Sequence, residues 1–412
     1  MVSYYVLIIL FVSGEGQEKL SIGWQVTFTH NSPQTQAGKS TMEVIKVGII
    51  GCGNISSIYI ENLSNMFKGV KLVACADLDP ARAQAKADQK DDDGKLKYPD
   101  LKAMTVEQLL ADEQIKIVVN LTIPAAHHEV ATQAIKAGKS CYNEKPLCLS
   151  REQAQELLKL AEKNNVLVGG APDTFMGAGI QTCVKVINDG WIGKPVSATA
   201  FMCCPGHESW HPAPEFYYLP GGGPMFDMGP YYLTALVNLL GPVAKVAGLT
   251  GRAKDERVCT SALRKGDVMP VDVQTHVTGL MQFASGATGT IITSFDVYKH
   301  SLPCIEIHGT EGSLSVPDPN CFGGPVKLCV GRGDWKELPL SHSYPENSRG
   351  LGVADMAEAL RSGEGFRPNG KLAYHVLDLM HAFHDSADSG QFVDIQSQCD
   401  QPKPMPSGLF TL

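Results

Sequence analysis

From residue 44 to about residue 164 the apolar positions alternate between two textures. Short continuous runs rich in β-branched side chains, at 44–50, 70–77, 115–121 and 140–143, read as strands buried on both faces. Between them, apolar residues spaced by three and four mark helices over 55–66, 80–88 and 125–137, the last closed by Gly138. Thr105 opens a short helix to Leu110, and Ser150 caps another that runs to about Asn164. Strands and helices alternating at this length predict an α/β fold with a doubly wound parallel sheet. Its ligand should lie beyond the C-terminal ends of the strands, where the strand order reverses.

The pattern changes after 166–170. A helix over 177–189 and a strand over 195–202 lead into a long loop, 203–224, rich in Pro, Gly, His and aromatic residues. A loop of that length is expected to be functional. A helix over 227–240 follows Gly221, Gly222 and Gly223. Strands then dominate, at 244–250, 271–283, 287–297, 304–308 and 313–316, before two final helices at 353–362 and 372–386. Alternation over 275–280 and 288–293 suggests meander strands with one face covered. The expected organisation is a nucleotide-binding domain over 42–165, a substrate-binding and oligomerisation domain over 166–390 and a tail over 391–412.

Residues 1–41 break the pattern. The apolar run 4–12 has no basic residue before it and no small-x-small site after it, and it is too short to cross a bilayer. Residues 13–41 show no period. A disordered extension preceding the true start at Met42 is expected; the alternative is a leader that exports the protein.

Composition narrows the partners. With 412 residues, a net charge of −8 and a pI near 5.8, the chain has no basic footprint for nucleic acid or anionic membrane. Its 12 cysteines form no Cys-x-x-Cys pair, and several fall within apolar runs. They read as small buried hydrophobes of a reducing, cytoplasmic compartment.

Candidate chemistry begins at the end of the first strand. Gly51-Cys52-Gly53-Asn54-Ile55 is a strand-to-helix turn of the kind that holds a pyrophosphate. Gly51 permits the tight turn, Gly53 permits close approach, and Ser56 stands where a third glycine is usual. Asp77 follows Gly53 by 24 residues at the end of the next strand. There its carboxylate suits the ribose hydroxyls of NAD and repels the 2′-phosphate of NADP, although Arg82 is close by.

Lys145, between Glu144 and Pro146 at a strand C-terminus, is placed to exchange a proton, with Glu144 orienting or tuning it. Asp227 follows the triple glycine and serves either chemistry or as a helix N-cap. Tyr231 shares its helical face. His207, Glu208, Trp210 and His211 in the long loop suit a polyol pocket, with Trp210 stacking on a sugar face. Their spacing does not support a metal. Of His127 and His128, one is expected to approach the cofactor and the other to face solvent. His375, His381 and His384 on the last helix are expected to be structural.

Taken together, these segments resemble the Gfo/Idh/MocA oxidoreductases from about Val44 to Phe383. The resemblance rests on the glycine turn, Asp77, Thr122-Ile123-Pro124 with His127, Glu144-Lys145-Pro146, and the stretch from Gly221 to Gly229. It implies an N-terminal Rossmann domain and a C-terminal α/β domain with a large open, mostly antiparallel sheet, commonly used for a homo-dimer or homo-tetramer. It also implies cofactor contacts from Gly51, Gly53, Asn54, Ile55, Asp77, Thr122, Pro124, His127, Glu144 and Lys145. The implied reaction is NAD(P) chemistry on a sugar or cyclitol hydroxyl, with Lys145 as acid–base. Many members carry Asp-x-Gly-x-His where this chain has Asp227-Met228-Gly229-Pro230-Tyr231, so Tyr231 or a histidine of the 203–223 loop stands in for the missing one. Three functions fit: a dehydrogenase, a redox-neutral lyase or epimerase that keeps its NAD, and a non-catalytic NAD sensor.

Overall fold

The structure is a computed structural model and describes residues 43–408. The expectations for residues 1–41 lie outside the described residues. The first half of the chain runs β1 (Ile45–Ile50), α1 (Ser56–Asn65), β2 (Val70–Ala76), α2 (Pro80–Ala87), β3 (Lys102–Ala103), α3 (Val106–Ala111) and β4 (Ile115–Asn120). It continues through α4 (His127–Lys136), β5 (Ser140–Asn143), α5 (Arg151–Asn164) and β6 (Val168–Gly170). The six strands form one sheet in the order β3-β2-β1-β4-β5-β6, with every pairing parallel. Both faces are covered, which is why β1 and β4 are apolar without alternation.

Local signals set the helix starts. Asp79 accepts a bond from the Ala81 amide and Pro80 takes the first turn of α2. Thr105 and Gln108 form a reciprocal capping box on α3, and Ser150 caps α5.

The second half runs α6 (Ala178–Asn188), β7 (Pro195–Cys203), α7 (Pro224–Asp227), α8 (Gly229–Leu240), β8 (Val243–Gly251), β9 (Glu256–Val258) and β10 (Val268–Pro270). Then follow β11 (His276–Phe283), β12 (Thr288–Ser294), β13 (Ile305–Gly309), β14 (Gly312–Val316), β15 (Val326–Val330) and β16 (Lys336–Leu338). The chain closes with α9 (Leu351–Ser362), α10 (Gly370–Ser389) and β17 (Val393–Asp394). Nine of these strands make a second sheet, β16-β15-β14-β13-β7-β12-β11-β8-β17, antiparallel except between β7 and β12.

Two expectations are corrected here, and two unforeseen strands are added. The strand foreseen over 271–283 begins only at His276, because β9 and β10 form a separate hairpin ending at Pro270. β15 and β16 were not foreseen; both are short, and half of their residues are exposed. The helix foreseen over 227–240 is two helices. Pro230 lacks an amide hydrogen and its ring would collide with the carbonyl four residues back, so α7 cannot run on into α8.

α10 lies directly on β8 and β11. A β-carbon on Gly248 would sit 2.3 Å from the Phe383 carbonyl oxygen, and one on Gly279 would sit 2.3 Å from the Phe383 ring. α9 returns to the first sheet, where Arg361 donates to the Gly69 carbonyl at 2.7 Å. The described residues thus form a single compact unit. None of their helices is long and apolar enough to cross a membrane.

Candidate active site

β1 and its turn sit where the strand order reverses, between β2 and β4. Gly51 has φ +103°, and a β-carbon there would lie 2.6 Å from the Leu121 carbonyl, so only glycine fits against the end of β4. Above Gly53 no atom lies within 4 Å of a β-carbon position, leaving the approach open. No side chain caps α1, and its first two amides, of Ser56 and Ser57, make only long bonds of 3.3 and 3.4 Å to the Gly53 and Asn54 carbonyls. Asp77 Oδ2 accepts from the Cys52 amide at 2.7 Å and Oδ1 from the Asp79 amide at 2.9 Å, which fixes the carboxylate beside the turn. Arg82 is turned to Asp79 at 3.6 Å. A bare glycine, uncapped amides and an anchored acid fit a dinucleotide.

The ends of β4 and β5 are tied by a buried amide network. Asn120 Nδ2 donates to Asn143 Oδ1 at 3.0 Å and to the His127 carbonyl at 3.1 Å, while its Oδ1 accepts from the Thr122 hydroxyl at 2.6 Å. Asn143 Nδ2 donates to the Leu147 carbonyl at 3.1 Å, closing the Glu144-Lys145-Pro146 turn. The Lys145–Pro146 bond is cis.

His127 turns its ring inward. It is fully buried, with Nδ1 2.7 Å from the Pro146 carbonyl and Nε2 3.1 Å from that of Thr122. Burial lowers its pKa against those two carbonyls. It braces the two loops, and His128 turns to Glu156 at 3.2 Å. Of the two, His127 is the one that lies against the Thr122 and Pro146 loops. Glu144 accepts from the Tyr59 hydroxyl at 3.0 Å and the Lys145 amide at 2.9 Å, so it holds the turn rather than the ammonium.

The ammonium belongs to Asp227. Lys145 Nζ donates to Asp227 Oδ1 at 2.8 Å and to the Asp227 carbonyl at 2.6 Å, and lies 5.4 Å from the Tyr231 ring centroid. Both side chains are mostly buried, at 17% and 15% exposed. Burial alone would lower the lysine pKa, but the Asp227 charge and then Tyr231 outweigh it, and the net direction is up. Burial likewise works to raise Asp227, but Lys145 and His207 hold it down to about 2. Asp227 ends α7 and its carboxylate accepts no bond from a helix amide, so the N-cap alternative falls.

His207 occupies the far side of that carboxylate, its Nε2 3.4 Å from Asp227 Oδ2. The imidazole is caged by Tyr217, Phe295 and Trp210, with centroids at 4.1, 4.6 and 5.5 Å. The long loop thus brings a histidine to the carboxylate of the Asp-x-Gly-x-Tyr stretch. Trp210 is 60% exposed, and His211 packs edge-on against it at 5.2 Å. Tyr231 is buried, its pKa raised by burial.

Two arginines complete the site and carry no sequence signal. Arg257, on the β9–β10 hairpin, bonds Glu208 Oε1 at 2.7 Å, Asp296 Oδ1, and the carbonyls of Pro205 at 2.9 Å and Phe295 at 2.7 Å. Tyr218 links Glu208 to the His207 amide, which donates to its hydroxyl at 3.1 Å. Arg257 therefore pins the segment that presents His207. Arg349 works against the rise that burial gives the Tyr231 pKa. Among the described residues no cluster of His, Cys, Asp or Glu is arranged to hold a metal ion, and all 12 cysteines are free.

Two family descriptions match this chain. An oxidoreductase family with an NAD-binding Rossmann fold (GFO_IDH_MocA) matches residues 45–170, and the GFO/IDH/MocA C-terminal domain matches residues 180–315. An inositol 2-dehydrogenase/D-chiro-inositol 3-dehydrogenase of Lactiplantibacillus plantarum is 33% identical over 158 residues, 37% of this chain and 42% of that protein. An uncharacterised oxidoreductase of Schizosaccharomyces pombe is 26% identical over 56% of this chain and 64% of its own length. The chain thus spans about two fifths to two thirds of these two relatives. An inositol 2-dehydrogenase of Rhizobium meliloti is 24% identical over 82% of this chain and 95% of its own length. Levoglucosan dehydrogenase in complex with NADH superposes with a TM-score of 0.73 at 21% identity, covering 86% of this chain and 100% of the other.

Proposed function

The chain belongs to the Gfo/Idh/MocA oxidoreductase family, and from that premise we propose that it moves hydride between a nicotinamide and a secondary alcohol carbon of a sugar, glycoside or cyclitol. The carrying observation is the Lys145–Asp227 pair, held at the C-terminal end of β5 with His207 behind it. The relatives named for inositol and levoglucosan support the polyol class.

Bound nicotinamide supplies or accepts the hydride, and this chain's residues handle the proton. Lys145 rests as an ammonium, because Asp227 holds its pKa up. In the reductive direction the acid is already in place to protonate the oxygen that gains charge. In the oxidative direction Lys145 must first be neutral. It sheds its proton more readily beside a second positive charge, such as the one oxidised nicotinamide carries. Asp227 and His207 then form a path from Nζ toward the 203–223 loop. Asp77 and the diversion of Arg82 to Asp79 support NAD over NADP.

The experiment is an absorbance screen of NADH formation and consumption over sugars, cyclitols and their ketones. Turnover of at least one, with NAD preferred, is expected. Tight NADH binding with no turnover of any would return the sensor reading.

A further inference from the structure

Five rings of the 203–224 loop close on one another. His207 meets Trp210 at 5.5 Å between centroids, Trp210 meets His211 at 5.2 Å, and His211 meets Phe216 at 5.3 Å. Phe216 meets Tyr217 at 4.0 Å, and Tyr217 returns to His207 at 4.1 Å. The inner side of this circuit is His207, 3.4 Å from the Asp227 carboxylate that holds Lys145. The outer side is uncovered: Trp210 is 60% exposed and Phe216 49%, while Tyr217 is buried. A continuous line of contacts thus runs from the ion pair to two exposed aromatic faces. Exposed aromatic side chains scattered singly need no explanation, but two in one packed cluster beside a reacting centre do.

These faces are held in place. The Trp210 and His211 amides both donate to the His207 carbonyl, at 3.3 and 3.0 Å, and the Gly223 amide donates to that of Tyr217 at 2.7 Å. From the β9–β10 hairpin the Thr260 amide donates to the Glu208 carbonyl at 3.0 Å, and Arg264 pairs with Glu215. A surface fixed before it is occupied loses less freedom on binding. The rim is also neutral. Glu208 and Glu215 are each met by an arginine, and burial lowers the His211 pKa. Its polar groups lie at ring edges: Trp210 carries an N–H donor on its exposed ring, and His211 spends Nδ1 on the Ala213 amide at 3.1 Å, which leaves Nε2.

We propose that Trp210 and Phe216 form a subsite for a second sugar ring, so that the substrate is a glycoside whose reacting ring lies at Lys145 and whose next ring rests on these two side chains. This rests on the dehydrogenase reading above. The steps of 3.4 Å from Asp227 to His207 and 5.5 Å from His207 to Trp210 put the indole within reach of a ring joined to the reacting one. A pyranose matches the rim, with apolar C–H faces for the aromatic planes and hydroxyls for the indole N–H and the imidazole nitrogen. A neutral rim gives a carboxylate or phosphate no charge to meet. An aryl aglycone would cover the faces and leave those edge groups without a partner.

The test is calorimetric titration of cellobiose, maltose and lactose into the NADH-saturated protein, with turnover measured in parallel. Cellobiose and maltose are compared with D-glucose, lactose with D-galactose, and phenyl β-D-glucoside serves as the aryl control. At least one disaccharide is expected to bind about tenfold tighter than its monosaccharide or better. Trp210→Ala should bring that ratio close to one, Phe216→Ala should reduce it, and Trp210→Phe should retain part of it. Far-UV circular dichroism checks that the variants fold, and the ratio in the unmodified protein tests the proposal by itself. Ratios near one for all three disaccharides, or a ratio that survives Trp210→Ala, overturn the proposal. Tightest binding of phenyl β-D-glucoside overturns the second-sugar assignment. A ratio lost in Trp210→Ala without turnover of any sugar supports the subsite and instead removes the dehydrogenase reading. Turnover of a monosaccharide with all ratios near one removes the subsite alone.

Discussion

Replacing Asp227 by asparagine tests the ion pair at the centre of the site. Asparagine keeps the shape and can still accept a bond from Lys145 Nζ, which also keeps the Asp227 backbone carbonyl at 2.6 Å. What disappears is one negative charge 2.8 Å from the ammonium. At an effective dielectric near 20, that attraction is about 6 kcal/mol before desolvation is counted. Breaking one side of a buried pair commonly costs about 3–5 kcal/mol, and the retained bonds place this case near the lower end, about 3 kcal/mol. Burial, no longer opposed, should pull the Lys145 pKa down, so the acid limb of the oxidative pH–rate profile should move to lower pH. The stability change has its own pH signature. With its pKa depressed from 3.8 to about 2, Asp227 contributes stability that is full above pH 3.8 and lost as pH falls through about 2. The difference between the two proteins should therefore vanish in strong acid. The assays are urea unfolding at several pH values and the pH dependence of turnover. Removing the lysine as well, in Asp227→Asn/Lys145→Met, should restore part of the lost stability. An Asp227→Asn protein with stability within about 0.5 kcal/mol of the original and an unmoved acid limb would refute the reasoning.

Further outcomes follow from the same geometry. Asp77→Ala should weaken the preference for NAD over NADP, measured as the ratio of kcat/KM for the two cofactors; an unchanged ratio would show that the carboxylate does not face the ribose. Arg257→Met should destabilise the fold by about 3–5 kcal/mol, because Glu208 and Asp296 are left mostly buried without their cation. It should also lower kcat more than it raises KM by loosening His207. Tyr231→Phe should cost less turnover than His207→Asn if the loop histidine, and not the tyrosine, completes the relay; the reverse order would reassign it.

What was legible in the sequence is what the chain builds locally. The glycine turn, Asp77 and the Glu144-Lys145-Pro146 turn each lie within a few residues of a strand end, and strand-to-helix turns leave a compositional mark. The partner of Lys145 was foreseen only as a choice between roles, because Asp227 reaches it across 82 residues. Arg349 and Arg257 left no mark. Each works through contacts made in three dimensions, Arg257 from a hairpin of three-residue strands and Arg349 from an irregular loop before α9. The inward turn of the His127 ring to two carbonyls is equally invisible in the sequence, which shows only its place beside the expected cofactor loop. The break between α7 and α8 was legible in Pro230 and was passed over because the apolar spacing continues across it.

The most direct measurement of the central claim is hydride transfer by Lys145→Met on the best substrate of the unmodified protein, alongside NADH affinity measured by fluorescence. Methionine keeps most of the length of the side chain and removes both its charge and its proton. General acid–base help is worth roughly 10²–10⁴ in rate, so turnover should fall by about that factor while NADH affinity changes far less. Near-normal turnover in Lys145→Met would contradict the assignment of Lys145 as the acid–base.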